Sequence, residues 1–385
     1  MARIPIAIEL FSGCGGLSTG LLDAGIRVAA GFDFDRRAIE GYSYNHEYRG
    51  SRGIVADLSA VSGPDLLSMA RVRRIDLLAG GPPCQPFSVI GKRQGMEDER
   101  ASLVFDFIRF VRELSPQAVL FENVANLATI HDGEVLGLIR RRLRALGYQV
   151  FAAVCSAADY GVPQMRKRLL VLAARDIESL ELPAATHGSP QLFDPTVRPY
   201  VTSRQALDDL PDAADFGGCG IHNHEPTLHT REMLRRFRRL RPGEREPGSF
   251  HDRLDPDRPS YTLRAGTGNF SPLRPIHYRY DRVVTVRESA RLQGFADRFI
   301  WPDWIPRLQQ YRQVGNAVPP PVARAAAQYL ARKLGWATDT VSLRGDVRAR
   351  ANPITMTDDE RRERRLSRIR GASLGLGVPK ARRAA

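Results

Sequence analysis

The short, mostly apolar run at residues 75–79 is stopped abruptly by Gly80, Gly81, Pro82 and Pro83. Such a run reads as a buried strand of a parallel sheet. The four residues that stop it present Cys84 at the strand's carboxyl end, followed by Gln85-Pro86-Phe87-Ser88. In open parallel sheets ligands bind in the crevice beyond the carboxyl ends of the strands, so a thiol there is well sited for chemistry. The prolines fix φ and remove backbone donors, which makes the turn stiff enough to hold a nucleophile against its target. A lone cysteine is more often an inert buried thiol. The residues on both sides of Cys84 favour the reactive reading.

The N-terminal part has the periodicity of an α/β nucleotide-binding unit. Residues 4–10 predict a first strand, which runs into Phe11-Ser12-Gly13-Cys14-Gly15-Gly16. Glycines at that place let the backbone turn tightly and approach a ligand, with a helix starting behind them. A second strand at 26–32 ends at Asp33, where a carboxylate can accept hydrogen bonds from ribose hydroxyls. A third, around 53–56, ends at Asp57. Taken singly, each aspartate could equally be a helix cap.

Further along, residues 89–100 are a charged, glycine-containing stretch with the composition of a lid, followed by a helix at 102–114. A strand at 118–121 ends in Glu122-Asn123-Val124. The helix at 134–146 carries Leu136, Ile139, Leu143 and Leu146 at helical spacing, a stripe that belongs to the core. Strands at 148–154 and 169–174 flank Gln164-Met165-Arg166-Lys167-Arg168. Arginine keeps its charge and offers a planar fork of donors, which suits recognition of an oxygen.

Composition narrows the partner. The formal charge is +14 with a pI near 10.1, which points to a polyanion, although a solvated arginine-rich surface gives the same total. No apolar run approaches the ~20 residues that span a membrane, and no secretory leader is visible. Cys14, Cys84, Cys155 and Cys219 are scattered, with neither a disulfide framework nor zinc-ligand spacing, so no metal site is expected and a reducing cytoplasm is.

Phe11 to Gly16, Pro83-Cys84-Gln85, Glu122-Asn123-Val124 and Gln164-x-Arg166-x-Arg168 occur in this order. They are followed by Arg258-Pro259-Ser260-Tyr261-Thr262-Leu263-Arg264 and Gln313-Val314-Gly315-Asn316-Ala317-Val318-Pro319-Pro320. This series resembles the motifs of the DNA (cytosine-5)-methyltransferases over roughly residues 4–335. The resemblance implies a doubly wound, Rossmann-like α/β methyltransferase sheet with a smaller target recognition domain. It also implies transfer of methyl from S-adenosylmethionine to C5 of a cytosine flipped out of double-stranded DNA.

On this resemblance Cys84 is the nucleophile, Glu122 assists at ring N3, Arg168 contacts the cytosine O2 and Arg166 helps to position it. The cofactor would be held by Phe11, Gly13, Cys14, Gly15, Gly16, Asp33, Phe34, Asp57, Leu58, Pro83, Asn316, Ala317 and Val318. Asp33 departs from the family's usual glutamate, and Asp35 offers a substitute. The implied division is a catalytic and cofactor-binding domain at 1–180, target recognition at 181–285, a return to the catalytic domain at 286–336, and a basic tail at 337–385. The expected state is a monomer, with a cognate restriction endonuclease as companion but no stable complex.

Two other enzyme readings and one binding reading compete. A transfer-RNA cytosine-5 methyltransferase shares fold and motifs, but the long segment between Arg168 and Arg258 favours DNA. A nicotinamide oxidoreductase accounts for the glycine-rich loop and Asp33 but not for Pro83-Cys84-Gln85. A DNA-binding regulator accounts for the charge but not for the catalytic set. The tail holds twelve Lys or Arg against six Asp or Glu and contains a capping box at Thr357-Asp358-Asp359-Glu360. It reads equally as a DNA-contacting arm or a solvated extension.

Overall fold

The computed structural model describes residues 3–83, 102–189, 195–215, 220–265 and 274–338. Cys84, the rest of 84–101, Cys219 and the tail beyond 338 lie outside the described residues. Seven strands form one sheet: β1 (Ile6–Leu10), β2 (Arg27–Asp33), β3 (Arg52–Val55), β4 (Leu77–Gly80), β5 (Ala118–Val124), β6 (Gln149–Ser156) and β7 (Lys167–Ala174). Their order is β3-β2-β1-β4-β5-β7-β6. β7 runs antiparallel to both of its neighbours, and the other pairings are parallel. The chain reverses direction across the sheet between β1 and β4, which opens a crevice beyond their carboxyl ends.

The helices are α1 (Gly16–Asp23), α2 (Arg36–His46), α3 (Gly63–Met69), α4 (Ser102–Leu114), α5 (Glu134–Ala145), α6 (Ser203–Leu207), α7 (Arg231–Arg238), α8 (Val286–Leu292), α9 (Arg307–Asn316) and α10 (Pro320–Lys333). Strand side chains alternate between two cores, as a period of two requires. Ile8, Leu78, Val119 and Phe121 pack with Phe107, Phe110, Val111 and Ile139 of α4 and α5. Ala7, Leu77, Ala79 and Leu120 face the other way, onto Leu17, Leu21, Ala323, Ala327 and Leu330 of α1 and α10. Each such Leu or Phe contributes about 1.5–3 kcal/mol by leaving water, so the three layers fix the sheet between two helical faces.

The segment at 118–124 differs from the expected strand end at 121. β5 continues through Val124 because the antiparallel β7 pairs with it to the end, Glu122 opposite Leu170 and Val124 opposite Arg168. Glu122 therefore stands on a strand and not on the loop behind it.

A third core is built from the C-terminal half. Leu207, Leu254 and Leu263 share it with Ala290, Phe295, Trp301, Tyr311 and Val314, so residues on both sides of 286 are one packed unit. Two asparagines tie it together: Asn45 of α2 exchanges hydrogen bonds with the Ile300 backbone, and Asn223 does the same with Trp301. Cys14 of the glycine-rich loop belongs to this core, so that loop touches both parts of the molecule.

Candidate active site

The glycine-rich loop leaves β1 through left-handed backbone conformations at Phe11, Gly13 and Gly15. Phe11 has φ 56° and Gly13 φ 54°, a left-handed region that costs a phenylalanine energy and suits glycine. Ser12 N donates to Phe32 O at 3.0 Å and Gly15 N to Ser12 O at 2.8 Å, which pins the turn to β2. Behind the loop, α1 lies against α10 and the segment before it with no room for a side chain at Gly16 or Gly20. A Cβ on Gly16 would sit 2.4 Å from Val318 O, and one on Gly20 would sit 2.4 Å from Pro320 O. The segment Asn316-Ala317-Val318 is thereby brought onto the loop, with Asn316 exposed and the other two half-buried.

Asp33 is organised by the same turn. Its Oδ2 accepts from Gly13 N at 2.8 Å and its Oδ1 from Asp35 N at 2.9 Å, while burial raises its pKa. Asp35 is occupied elsewhere as the N-cap of α2, accepting from Arg37 N and Ala38 N. Next to Asp33, the Phe34 ring is 76 % exposed, an apolar face with nothing covering it. Asp57 is exposed and accepts from Ser59 N and Oγ, hydrogen bonds that hold its carboxyl below the usual range. Leu58 is buried beneath it.

Ser12 is a residue that the sequence reading passed over. Its hydroxyl is buried in the loop and has no hydrogen-bond partner among the described residues, although buried polar groups nearly always have one. A hydroxyl inside a ligand-binding loop was the available signal.

β4 delivers the Gly81-Pro82-Pro83 turn beside β5. A Cβ on Gly81 would lie 3.1 Å from Glu122 Oε2, a tight contact that glycine avoids where the turn passes the carboxyl. Asn123 Nδ2 donates to Pro82 O at 2.8 Å, and Asn123 Oδ1 accepts from Val124 N at 2.9 Å. Pro82 is buried and Pro83 exposed. Cys84 follows directly and lies outside the described residues.

Glu122 is buried, and Arg168 Nε lies 2.8 Å from its Oε1. Burial raises the Glu122 pKa, and Arg168 and Arg166 oppose that rise. Arg166 is itself fully enclosed. It donates to Leu263 O at 3.2 Å and Gly315 O at 2.7 Å, joining β7 to the segments at 258–264 and 313–320. Gln164 makes a similar link, donating to Leu292 O and accepting from Leu263 N. The strand ends thus hold, side by side, a buried carboxyl, a paired guanidinium, a stiff proline turn and a glycine-rich loop. This is the layout of a group-transfer enzyme acting at the switch point of a doubly wound sheet.

Comparison with known proteins defines the class. Residues 6–332 match the C-5 cytosine-specific DNA methylase family, and the chain belongs to it. It is a DNA cytosine-5 methyltransferase. It is 34% identical over 379 residues to the Type II methyltransferase M.XorII of Xanthomonas oryzae pv. oryzae, covering 86% of this chain and 85% of that one. It is 30% identical over 393 residues to the Type II methyltransferase M.DdeI of Desulfomicrobium norvegicum, covering 88% and 90%. The crystal structure of the S. pombe Dnmt2 methyltransferase superposes with a TM-score of 0.65 at 21% identity, over 86% of this chain and all of that one. That last likeness shows the shared fold. The expected methyltransferase sheet is borne out, as is the family. Among the described residues no helix is long and apolar enough to cross a membrane.

Proposed function

We propose that this chain methylates C5 of a cytosine flipped out of duplex DNA through a covalent adduct with Cys84, using S-adenosylmethionine. The observation that carries the reading is the Glu122–Arg168 pair at 2.8 Å beside the Gly81-Pro82-Pro83 turn, with Asn123 fixing that turn. Cytosine C5 is a weak nucleophile, so the ring must be activated first. The Cys84 thiolate adds to C6, and Glu122 delivers a proton or hydrogen bond at N3, which makes C5 enamine-like. C5 then takes the methyl group, its proton passes to a base, and the C6–S bond breaks to release the thiolate. A carboxyl whose pKa is raised by burial keeps its proton to higher pH than an ordinary glutamate, as a general acid requires. Arg168 steadies that carboxyl and offers its remaining donors to O2, with Arg166 as a positioning residue. The target base must leave the stack to reach these groups.

Features of the ligand loop fit the cofactor. Among the described residues, Ser12 Oγ lacks a partner, nothing lies within 4 Å of where a Gly13 Cβ would be, and the Phe34 ring is 76 % exposed. We assign Phe11, Gly13, Cys14, Gly15, Gly16 and Ser12 to the amino-acid portion. Asp33 goes to the ribose, and Phe34, Asp57 and Leu58 to the adenine. Pro83, Asn316, Ala317 and Val318 close the remaining side. Bound there, S-adenosylmethionine supplies an electrophilic methyl group.

The wider reading is a modification methyltransferase with its own recognition sequence, acting as a cytoplasmic monomer. A cognate endonuclease would be a companion without a stable complex. Residues 181–285 are assigned to target recognition, sharing a core with 286–314. The test is to incubate the protein with S-adenosylmethionine and duplex DNA carrying 5-fluorocytosine. A covalent protein–DNA adduct that disappears in Cys84→Ala supports the mechanism. Methylation by Cys84→Ala near the wild-type rate ends it.

A further inference from the structure

The segment at 244–253 is a tight hairpin that is clamped from one side. Glu246 N donates to His251 O and Arg253 N to Glu244 O, each at 2.8 Å, and the Arg245 and Asp252 side chains pair across it. The buried Glu246 carboxylate accepts Arg236 Nε and NH2 of α7 at 2.9 and 2.7 Å, and also the Ser249 amide and hydroxyl. A Cβ on Gly248 would lie 2.2 Å from Arg236 NH2, so the clamp closes only over glycine. His251 is anchored through Nδ1 to Arg274 O at 2.7 Å, with its ring edge against Phe237.

All this order is spent on holding one residue outward. Phe250 sits at φ 58° with its ring 57 % exposed. The left-handed region is a genuine outlier for a bulky side chain, and such strain persists only where surrounding contacts overdetermine it. The ring adds nothing to the core in return. It lines a cleft whose wall also carries Tyr261, Thr262 and Arg264. That wall is stitched to the catalytic strand: Met165 N donates to Ser260 O at 2.8 Å and Thr262 Oγ1 to Met165 O at 3.0 Å. Three residues beyond Met165 is Arg168, the partner of Glu122. Tyr261 is 51 % exposed, so two exposed aromatic residues line the same cleft.

We propose that Phe250 is a DNA-contacting residue. The clamped hairpin presents its ring, preorganised, as an apolar surface against a base of the substrate duplex near the target cytosine. The inference rests on the assignment of duplex DNA as substrate. An aromatic ring serves this role by packing on a thymine methyl in the groove or on a base face bared when the target cytosine leaves the stack. Preorganisation lowers the ordering cost of the contact, which is what the Glu246 clamp supplies.

The test compares Phe250→Ala, Phe250→Gly and Phe250→Trp with wild type on a methylatable duplex. Phe250→Ala is expected to weaken DNA binding roughly 5- to 150-fold, the range for losing one base–aromatic contact. Cofactor binding, thermal midpoint and the log–log salt slope should stay at wild-type values, because no phosphate contact is removed. Phe250→Gly relieves the backbone strain, so it should melt no lower than wild type while losing the same DNA affinity. Phe250→Trp should restore most of that affinity. DNA affinity unchanged in Phe250→Ala overturns the proposal, as does a loss that tracks a fall in thermal midpoint or fails to recover with Trp. A wild-type protein that methylates no DNA would instead sink the substrate assignment.

Discussion

Asn123 Nδ2 donates to the carbonyl of Pro82 at 2.8 Å across 41 residues of sequence. The bond ties the end of β5 to the turn that leaves β4. Glu122 precedes Asn123, so one amide side chain sets the spacing between the acid and the turn at Gly81-Pro82-Pro83. Glu122 faces the site from a strand braced on both sides, by β4 at Gly80–Phe121 and by β7 at Leu170. The acid is rigid by construction, and the turn becomes rigid through Asn123.

Replacing Asn123 tests that arrangement. Asn123→Asp keeps size and shape but cannot donate to Pro82 O, and it adds a carboxyl beside Glu122. A buried acceptor left unpaired costs about 1–3 kcal/mol. We expect a lower single-turnover methylation rate with cofactor affinity unchanged, since the loop at 11–16 is untouched. A variant with wild-type kcat would show that the turn needs no tie.

Arg168 and Glu122 make a prediction about pH. Arg168 lowers the Glu122 pKa against the larger effect of burial. If the protonated carboxyl is the working form, the rate falls as pH rises through the Glu122 pKa. Arg168→Met removes the opposing charge, so its alkaline limb should move to higher pH while its maximal rate drops. Glu122→Gln should lose that limb and run about 100- to 10,000-fold slower. An alkaline limb that stays put in Arg168→Met would separate Glu122 from the titration.

Much of this site was legible in the sequence. A strand stopped by Gly80-Gly81-Pro82-Pro83 must end there, and the mostly apolar run before it reads as a buried strand of a parallel sheet. Three features were not legible, for physical reasons. The antiparallel β7 extends β5 past 121, and no local pattern in 118–124 announces a partner 44 residues later. Arg166 reads as a residue that helps to position Arg168, and its Nη1 and Nη2 reach the Leu263 and Gly315 carbonyls, a long-range pairing that spacing cannot encode. The core shared across residue 286 rests on residues with weak periodicity, such as Leu207, Leu254 and Trp301.

The α1–α10 contact predicts a steric limit. A Cβ on Gly20 would meet Pro320 O at 2.4 Å, Ala323 Cβ at 2.5 Å and Arg324 N at 2.7 Å. Backbone atoms cannot rotate away, so the two helices would have to separate. Although alanine is the better helix former, Gly20→Ala should destabilise the protein by about 1–3 kcal/mol, the cost of overpacking a filled interface. It should also weaken cofactor binding, because Val318 and the loop move together. Thermal melts and cofactor titrations check both, and an unchanged or raised melting temperature would mean that the interface has slack.

Glu9 gives the sharpest pH signature. It is 2 % exposed under the ligand loop, where its Oε2 accepts Ser18 N at 2.8 Å and the Ser18 hydroxyl. Ser18 Oγ continues to Tyr42 and Tyr42 to Ser51, all buried. Burial dominates and lifts the Glu9 pKa from 4.5 to about 8, with the nearby Asp33 and Glu122 adding to the rise. The folded state therefore binds a proton that the unfolded chain releases near 4.5. The stability this lends is fully present below the unfolded value and declines as pH rises towards 8, because the folded protein must then ionise a buried acid. Above that pH the loss levels off. Glu9→Gln has no proton to lose, so its stability relative to wild type should climb between pH 5 and 8 and then flatten. The climb should be on the order of 4–5 kcal/mol at most. Subtracting the two curves cancels Asp33 and Glu122 to first order, and His46, whose pKa burial lowers to about 3, stays neutral throughout this range. Denaturant titrations of both proteins from pH 5 to 9 measure the difference, and parallel curves would mean that Glu9 is ionised within the fold.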